Sequence, residues 1–169
     1  MADLMIMIGV PGAGKSTWCK ENIKSPMQKY VSRDEIRFSL LKEGDEYFSK
    51  EDEVCRIFYD TITKYLKEGY HVVADATHLN AASRKKLIHN IEGYDKVFGM
   101  YIDTPLQKCL ENNEKRQGTK SYVPKSAIRR MASQLSFPGV DEDYFEGIFT
   151  AREEESNEWK NLVYKWFTF

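Results

Sequence analysis

Residues Gly9 to Ser16 read GVPGAGKS and match the pattern G-x-x-x-x-G-K-[ST]. The pattern follows an apolar run, LMIMIGV, and precedes a helix-forming stretch, which is the setting that a phosphate-binding loop requires. Glycines let backbone N–H groups surround phosphate oxygens, and the positive end of the following helix adds to the attraction. We predict that ATP or another nucleoside triphosphate binds here, through Gly9, Pro11, Gly12, Ala13, Gly14, Lys15, Ser16 and Thr17.

Two side chains of this loop carry chemistry of their own. Lys15 is predicted to reach the β and γ phosphates as a point charge, and the Ser16 hydroxyl to bind Mg²⁺. The loop does not specify the acceptor of the γ-phosphate, because water would indicate an ATPase or a switch and a hydroxyl would indicate a kinase. Other polar clusters of the sequence have to indicate the acceptor.

The stretch VSRDEIRFSL, residues 31–40, places two cations and two carboxylates where a predicted strand meets a helix. A salt-bridged start of a helix is the simplest interpretation. Asp34 and Arg37 are three residues apart, so they lie on the same face of that helix. The alternative interpretation is an acceptor site beside the phosphate-binding loop.

Asp75 follows the apolar residues HVVA, so it stands at the carboxyl end of a buried strand, where open α/β sheets place site residues. Its carboxylate is predicted to bind Mg²⁺ directly or through water. The other interpretation is a cap for the next helix, but that helix is predicted to begin near Asn80. Thr77 lies just beyond Asp75, in a loop that would face the same crevice.

The segment EKRQGTKSYVP joins two predicted helices and contains Lys115, Arg116 and Lys120. Such a connection can close over a bound nucleotide and bring an arginine to its phosphates, where the cation stabilises charge in the transition state. We predict a lid over residues 111–135 with Arg116 on the phosphates. A solvated helix end is the alternative, because cations are favourable near helix C-termini.

Strands and helices alternate along the chain, and YFEGIFTA and LVYKWFTF near its end are both predicted strands. Near-continuous apolar strands are typical of parallel sheets, whose strands need crossover connections. We predict an α/β fold with a parallel sheet of about five strands, helices on both faces and a helical lid. The 169 residues suffice for one domain but not for two, so residues 1–169 are predicted to form a single domain.

Composition narrows the class of partners. A formal net charge of -1 argues against a protein that coats duplex nucleic acid through bulk positive charge. Three widely spaced cysteines are typical of reduced thiols in a cytosolic protein. The apolar run near the N-terminus is too short for a signal peptide or a membrane span. We expect a cytoplasmic protein with no membrane partner.

The segments GVPGAGKSTW, SRDEIR, DATHLN and EKRQGTKSYVP, in this order and spacing, resemble the kinase domain of the polynucleotide 5′-hydroxyl kinases of the bacteriophage type. The resemblance extends from Met5 to about Leu135. It implies the P-loop kinase fold, ATP and Mg²⁺ as cofactors, a nucleic-acid 5′ end as partner, and the cytoplasm of a bacterium or a phage-infected host. The implied reaction is transfer of the γ-phosphate of ATP to the 5′-hydroxyl of DNA or RNA.

The same resemblance implies a role for each matched residue. Lys15 and Ser16 match the residues that bind ATP and Mg²⁺, and Asp34 matches the general base. Arg37 matches an arginine that contacts the acceptor's phosphate, and Thr77 matches a threonine that assists that contact. Arg116 matches the lid arginine that contacts the donor phosphates. The chemistry fits, because a carboxylate near a helix N-terminus is stabilised by the helix dipole and phosphoryl transfer needs a base only late. Arg37 would clamp the acceptor phosphate in bidentate fashion.

Two departures from the family pattern matter. Asn112 stands where the family often has a further lid arginine, which predicts weaker or redistributed contacts with the donor. The phage enzyme's D-x-D-x-T phosphatase motif does not occur in this sequence, so we expect no 3′-phosphatase activity.

Two other functions stay open at the level of sequence. One is another P-loop kinase, acting on a sugar, nucleoside, antibiotic or charged transfer RNA, because those families also place an aspartate and an arginine after the second strand. The other is a nucleotide-binding switch without phosphotransfer, which needs neither Asp34 nor Arg37 near the phosphates. The sequence gives no indication of oligomeric state.

Overall fold

The structure, a computed structural model, describes residues 1–139, 141–154 and 158–164. Strands and helices alternate through most of the chain, as the sequence predicts. The elements are β1 (Asp3–Ile8), α1 (Lys15–Asn22), β2 (Gln28–Ser32), α2 (Arg33–Leu40), α3 (Glu51–Lys67), β3 (His71–Asp75), α4 (Ala81–His89), β4 (Lys96–Ile102), α5 (Leu106–Glu114), α6 (Lys125–Gln134), β5 (Phe145–Glu153) and β6 (Trp159–Tyr164).

The described strands form one six-stranded sheet in the order β2-β3-β1-β4-β5-β6. The first five strands are parallel, and β6 pairs with β5 in antiparallel orientation. The predicted α/β fold is confirmed, with one antiparallel strand added at the edge. That strand begins at Trp159, earlier than predicted, and residues 165–169 of the predicted final strand lie outside the described residues.

Helices cover both faces of the sheet because alternate residues of the buried strands point to opposite sides. Leu4 and Ile6 of β1 pack with Phe58 of α3 and Leu87 of α4. On the other face, Met7 belongs to a cluster with residues of α1 and α5. Both clusters are apolar and almost fully buried, so they hold the carboxyl ends of the parallel strands in a fixed arrangement.

Strand order decides which loops meet. β1 lies between β3 and β4, and β3 pairs with β2 so that Ser32 is opposite Asp75. The phosphate-binding loop after β1, the start of α2 and the end of β3 therefore share one edge of the sheet. Open α/β sheets bind ligands at such a point, beyond the carboxyl ends of strands where the strand order reverses.

The segment predicted as a lid, residues 111–135, contains the end of α5, the connection that follows it and α6. Leu110, Val123 and Ile128 form a small buried cluster between α5 and α6, separate from the two clusters on the sheet. The buried Asn113 donates through Nδ2 to the Val123 carbonyl at 2.7 Å and accepts from the Val123 N–H at 3.0 Å. This pair of bonds fixes the connection between α5 and α6 against the end of α5.

Candidate active site

One cleft at the carboxyl edge of the sheet contains nearly all of the residues predicted to act. Its walls come from the phosphate-binding loop, α2, the segment before α3 with the start of α3, the end of β3, and the predicted lid segment between α5 and α6 with α6 itself. It is lined by Pro11, Gly12, Gly14, Lys15, Ser16, Thr17, Arg33, Asp34, Arg37, Tyr47, Phe48, Glu51, Asp75, Ala76, Thr77, Arg116, Ser121, Val123 and Met131. Every predicted site residue except Gly9 and Ala13 therefore meets in this cleft.

Gly9 and Ala13 contribute to the shape of the loop instead. The Gly9 N–H donates to the Thr77 carbonyl at 3.0 Å, and the Ala13 N–H donates to the Val10 carbonyl at 3.2 Å. The Ala13 side chain is buried in the core. The N–H groups of these two residues are thus used inside the protein, and their predicted contact with a nucleotide stays a prediction.

Two glycines of the loop are required by both conformation and space. Gly12 and Gly14 have φ angles of 83° and 100°, in the left-handed region that side chains disfavour. A Cβ on Gly12 would lie 2.3 Å from the Cys109 carbonyl oxygen of α5, and one on Gly14 would lie 3.0 Å from the Trp159 ring. The loop is therefore backed by α5 and β6 as well as by β1.

Lys15 is the first residue of α1, and its side chain turns back over the loop. Its Nζ donates to the carbonyl oxygens of Gly9 at 2.9 Å and Val10 at 3.0 Å, which holds the cation above the loop. Burial lowers the pKa of Lys15, and the negative charges of Asp75 and Asp34 oppose that shift. The ammonium group thus lies within electrostatic reach of both carboxylates, one on each side of the cleft.

Ser16 and Asp75 form the second part of the phosphate side. The Ser16 hydroxyl donates to Asp75 Oδ2 at 2.9 Å, and the Tyr30 hydroxyl donates to the same oxygen at 2.6 Å. Burial and the Asp75 charge raise the pKa of Tyr30, so the phenol keeps its proton. Asp75 is buried and does not cap α4, because Asn80 and Ser83 form a capping box there.

This hydroxyl and carboxylate suit Mg²⁺, which takes oxygen ligands and keeps several waters and phosphate oxygens around it. The described residues contain no group of three or more His, Cys, Asp or Glu able to hold a metal ion. Ser16 and Asp75 are oxygen donors beside the phosphate-binding loop that could hold Mg²⁺ together with a nucleotide.

The acceptor side of the cleft is built on α2. Ser32 caps the helix by accepting from the Glu35 N–H at 3.2 Å, which puts Asp34 in the first turn. The Asp34 side chain is 60% exposed, whereas that of Arg37 is only 6% exposed, and the two form an ion pair. Both interpretations of this stretch therefore apply to Asp34. Its carboxylate forms the salt bridge at the start of α2 with the buried Arg37, and it is exposed toward the cleft.

Arg37 is held by more than Asp34. Its Nε donates to Glu51 Oε2 at 3.2 Å, and its Nη2 donates to the two Glu51 oxygens at 3.1 and 2.9 Å. Glu51 therefore occupies the Nε and Nη2 edge that a bidentate clamp on an acceptor phosphate would use, and that clamp stays a prediction. Nη1 donates to Asp34 and Tyr47, so every N–H group of Arg37 has a partner within the protein, and a bound acceptor would have to displace one of them.

Tyr47 and Glu51 also belong to the acceptor side, and the sequence did not predict them. The Tyr47 hydroxyl donates to Asp34 Oδ1 at 3.1 Å and accepts from Arg37 Nη1 at 3.2 Å. Burial, with the charge of Asp34, raises the pKa of Tyr47 to about 12. Arg33 Nη2 donates to Glu51 Oε1 at 2.5 Å, so Glu51 joins both arginines of α2. No spacing signal marks Tyr47 or Glu51, because tertiary packing brings them to α2.

The lid contributes Arg116 and explains the departure at Asn112. Arg116 follows α5 and its half-buried side chain lines the cleft. Asn112 Nδ2 donates to the Gly12 carbonyl at 3.0 Å, so this amide binds the backbone of the phosphate-binding loop. The asparagine therefore connects α5 to the loop at the position where the family often has an arginine.

Comparison with protein families identifies the class of the molecule. The family AAA_33, described as an AAA domain, matches residues 4–138. The chain belongs to this family. The match covers the phosphate-binding loop, both sides of the cleft and the lid, so all of the predicted site residues lie inside the family domain.

Curated relatives of the chain include two kinases. A protein of Autographa californica nuclear polyhedrosis virus, named as a candidate bifunctional polynucleotide kinase/RNA ligase, is 28% identical over 68% of this chain and 18% of its own length. The L-seryl-tRNA(Sec) kinase of Methanococcus maripaludis is 28% identical over 81% of this chain and 54% of its own length. The chain thus spans about half or less of these relatives.

Solved structures agree on the fold. A chain of the Pnkp1/Rnl/Hen1 RNA repair complex is 26% identical, with a TM-score of 0.69 over 79% of this chain and 44% of that one. A sugar kinase from Janibacter sp. HTCC2649, 16% identical, has a TM-score of 0.65 over 90% and 86% of the two chains, which shows the fold alone. The chain thus shares the α/β fold of these structures, a fold that kinases adopt. Among its described residues, no helix has the length and apolar character needed to cross a bilayer.

Proposed function

We propose that this chain transfers the γ-phosphate of ATP, or of another nucleoside triphosphate, to the 5′-hydroxyl of a polynucleotide. The observation that carries the proposal is the shared cleft, in which Asp34 and Arg37 of α2 face Lys15 and Asp75 on the phosphate side. The similarity to a candidate polynucleotide kinase/RNA ligase and to a chain of an RNA repair complex supports a nucleic-acid acceptor.

Binding of the donor falls to four side chains. Lys15 is placed to neutralise the β and γ phosphates, and Arg116 to approach them from the lid. Ser16 and Asp75 would hold Mg²⁺. The bound nucleotide and metal supply the phosphoryl group and an additional positive charge on its oxygens. These residues therefore stabilise charge that develops during transfer, without forming a covalent bond to it.

Proton transfer falls to Asp34. The acceptor's hydroxyl oxygen forms the new bond to phosphorus, the bond from phosphorus to the nucleoside diphosphate breaks, and the hydroxyl proton passes to the Asp34 carboxylate. Asp34 is exposed enough to reach an incoming hydroxyl, and Arg37 and Tyr47 fix its Oδ1 in place. A positioned carboxylate of this kind orients the nucleophile and accepts its proton. Thr77 also lines the cleft and would assist the acceptor's binding.

A transfer assay tests the proposal. Labelled ATP and Mg²⁺ are incubated with the protein and with 5′-hydroxyl DNA, 5′-hydroxyl RNA, nucleoside 3′-monophosphates, sugars and seryl-tRNA. Label is expected on the 5′ ends of the polynucleotides and absent from the same oligonucleotides when a 5′-phosphate blocks the hydroxyl. Label on sugars or seryl-tRNA, with none on 5′-hydroxyl ends, would overturn the proposal.

A second candidate is phosphorylation of the seryl hydroxyl of a charged transfer RNA. It is favoured by the 28% identity to the L-seryl-tRNA(Sec) kinase, which extends over more of this chain than the viral relative does. Both candidates use the same cleft and the same general base. The product separates them, because alkaline deacylation releases a phosphoserine only in the second case.

A further inference from the structure

An exposed aromatic ring lines the acceptor side of the cleft. Phe48 is 49% exposed, and of the large apolar residues that are exposed within the described part of the chain, it alone lines this cleft. A large apolar side chain in a polar cleft costs free energy through contact with water unless a ligand covers it. Neither the proposed base, Asp34, nor the two arginines of α2 requires an apolar side chain beside it.

The ring is held firmly by its neighbours. Phe48 contacts Tyr47 edge to face, with ring centroids 4.6 Å apart and planes at 78°. The Arg37 guanidinium carbon lies 4.6 Å from the Tyr47 centroid and 5.5 Å from the Phe48 centroid, within the range of cation–π attraction. The position of Phe48 is thus fixed before any acceptor binds, and the cost of ordering it on binding is small.

The same contacts fix the distance of the ring from the chemistry. The Tyr47 hydroxyl is 3.1 Å from Asp34 Oδ1, and the Tyr47 ring then contacts Phe48. Phe48 therefore stands one aromatic ring away from the proposed base. Suppose that an acceptor binds with its hydroxyl at Asp34. The group that one sugar ring separates from that hydroxyl would then lie near the exposed face of Phe48.

We infer that Phe48, supported by Tyr47, forms a stacking surface for the base of the acceptor's 5′-terminal nucleotide. This inference rests on the proposed function. It concerns the base of the 5′-terminal nucleotide, which the proposed catalytic residues do not contact. Stacking on an aromatic ring is tolerant of sequence because every base has a π-face. The surface selects nucleosides over sugars or a seryl group, which carry no aromatic ring at that distance, without selecting among bases.

A pair of oligonucleotides tests the inference. They are identical except that one lacks the base of its 5′-terminal nucleotide. The wild-type protein is expected to show about tenfold lower kcat/KM on the abasic acceptor, equal to about 1.4 kcal/mol, with most of the change in KM. Phe48→Ala should lower kcat/KM about tenfold on the complete acceptor and less than about twofold on the abasic one.

Matched variants separate stacking from support of the fold. Phe48→Trp should restore the preference for the base, and Phe48→Leu, which still covers Tyr47 with apolar surface, should not. Phe137→Ala removes another exposed phenylalanine that does not line the cleft and should leave both acceptors unaffected. Equal loss on both acceptors in Phe48→Ala would show that Phe48 only supports Arg37, and would overturn the inference.

A binding measurement distinguishes the possible failures. In an Asp34→Asn background, an oligonucleotide with 2-aminopurine as its 5′-terminal base should lose fluorescence on binding, and Phe48→Ala should abolish that loss. If the wild-type protein labels both acceptors equally, the stacking surface is wrong while the proposed function stands. If it labels no polynucleotide and no quenching occurs, the proposed function fails and the inference fails with it.

Discussion

At the scale of single residues, the acceptor side depends on a buried cation with three anionic or phenolic partners. Burial alone would lower the pKa of Arg37, but Tyr47, Glu51 and Asp34 together hold that pKa above its ordinary value. The guanidinium therefore stays charged and cannot turn freely. Asp34 in turn has its Oδ1 fixed by Arg37 and Tyr47, so orientation of the proposed base depends indirectly on Glu51.

The first prediction concerns Glu51. Glu51→Gln should lower kcat/KM for the acceptor by about 100-fold. The substitution removes the charge that holds Arg37, so Arg37 and with it Asp34 would shift, and a small misplacement of a catalytic group lowers the rate strongly. The Mg²⁺ requirement and the affinity for ATP should stay unchanged, as Glu51 does not contact the phosphate side. Steady-state kinetics with varied acceptor and varied ATP provide the measurement. Glu53→Gln, an exposed change in the same first turn of α3, is the control, and equal kinetics in the two variants would exclude the positioning role.

At the scale of elements, α4 is tied to the segment before β5 by a buried ion pair. Arg84 is fully buried and donates through Nε and Nη2 to Glu142 at 2.7 and 2.8 Å, and through Nη1 to the carbonyls of His78 and Ser136. Burial raises the pKa of Glu142, but hydrogen bonds from Arg84, Tyr144 and Gly139 outweigh it and hold that pKa low. The hydrogen bond from Arg84 to the His78 carbonyl fixes the loop between β3 and α4, which carries Thr77.

Loss of this pair should destabilise the fold. Arg84→Ala is expected to lower the free energy of unfolding by about 3–5 kcal/mol, because Glu142 is then left buried without its cation. Urea denaturation with circular dichroism provides the measurement. Lys85→Ala, an exposed neighbour on α4, should change stability by less than about 0.5 kcal/mol. If Arg84→Ala were as mild as Lys85→Ala, the pair would not anchor α4.

The lid is the second element whose role can be tested. Arg116→Ala should lower kcat by about 10³-fold or more while acceptor KM changes little, because a cation on the transferring phosphoryl group acts mainly in the transition state. Lys115→Ala changes an adjacent exposed residue that does not line the cleft. The two variants are compared at saturating ATP and acceptor. Equal kcat values for the two would contradict the assignment of Arg116 to the donor phosphates.

At the scale of the whole molecule, the sequence predicted the elements and the sides of the cleft better than the contacts within it. The phosphate-binding loop and the ends of the parallel strands are local patterns, so they could be located from spacing alone. Glu51 at the start of α3 and Tyr47 in the segment before it reach Arg37 through tertiary packing, for which the sequence has no signal. Arg84 lies in the stretch SRKKL, which has the composition of a solvated helix face, and only its distant partner Glu142 makes it a core residue.

The stability of the whole fold should depend on pH through one buried histidine. Burial is the main cause that lowers the pKa of His78 to about 3, with the cations Arg33, Lys15 and Arg84 adding to it against a hydrogen bond to the Met7 carbonyl. The ring is therefore neutral in the folded protein, and its Nδ1 donates to that carbonyl. Because the folded-state pKa lies below the unfolded value of about 6.5, this contribution to stability is present above pH 6.5 and lost as pH falls toward 3.

His78→Asn should remove that dependence. Asparagine tolerates the left-handed backbone at this position, where φ is 43°. Between pH 7.5 and 5, the wild-type protein should lose about 2 kcal/mol more of its unfolding free energy than the variant loses. Urea titrations at both pH values measure the difference. His89→Asn replaces an exposed histidine and should keep the wild-type pH dependence, and a matching flat profile in that control would contradict the assignment to His78.

Asp34 is proposed to accept the proton of a polynucleotide 5′-hydroxyl in the same cleft in which the triphosphate is proposed to bind. The most direct measurement compares label transfer from ATP to a 5′-hydroxyl oligonucleotide by the wild-type protein and by Asp34→Asn, with ATP binding measured in parallel. We expect the wild type to label the 5′ end, and Asp34→Asn to be slower by about 10²–10⁴-fold with ATP affinity nearly unchanged. A wild-type protein that leaves the 5′ end unlabelled, or an Asp34→Asn variant that labels it at the wild-type rate, would contradict the claim.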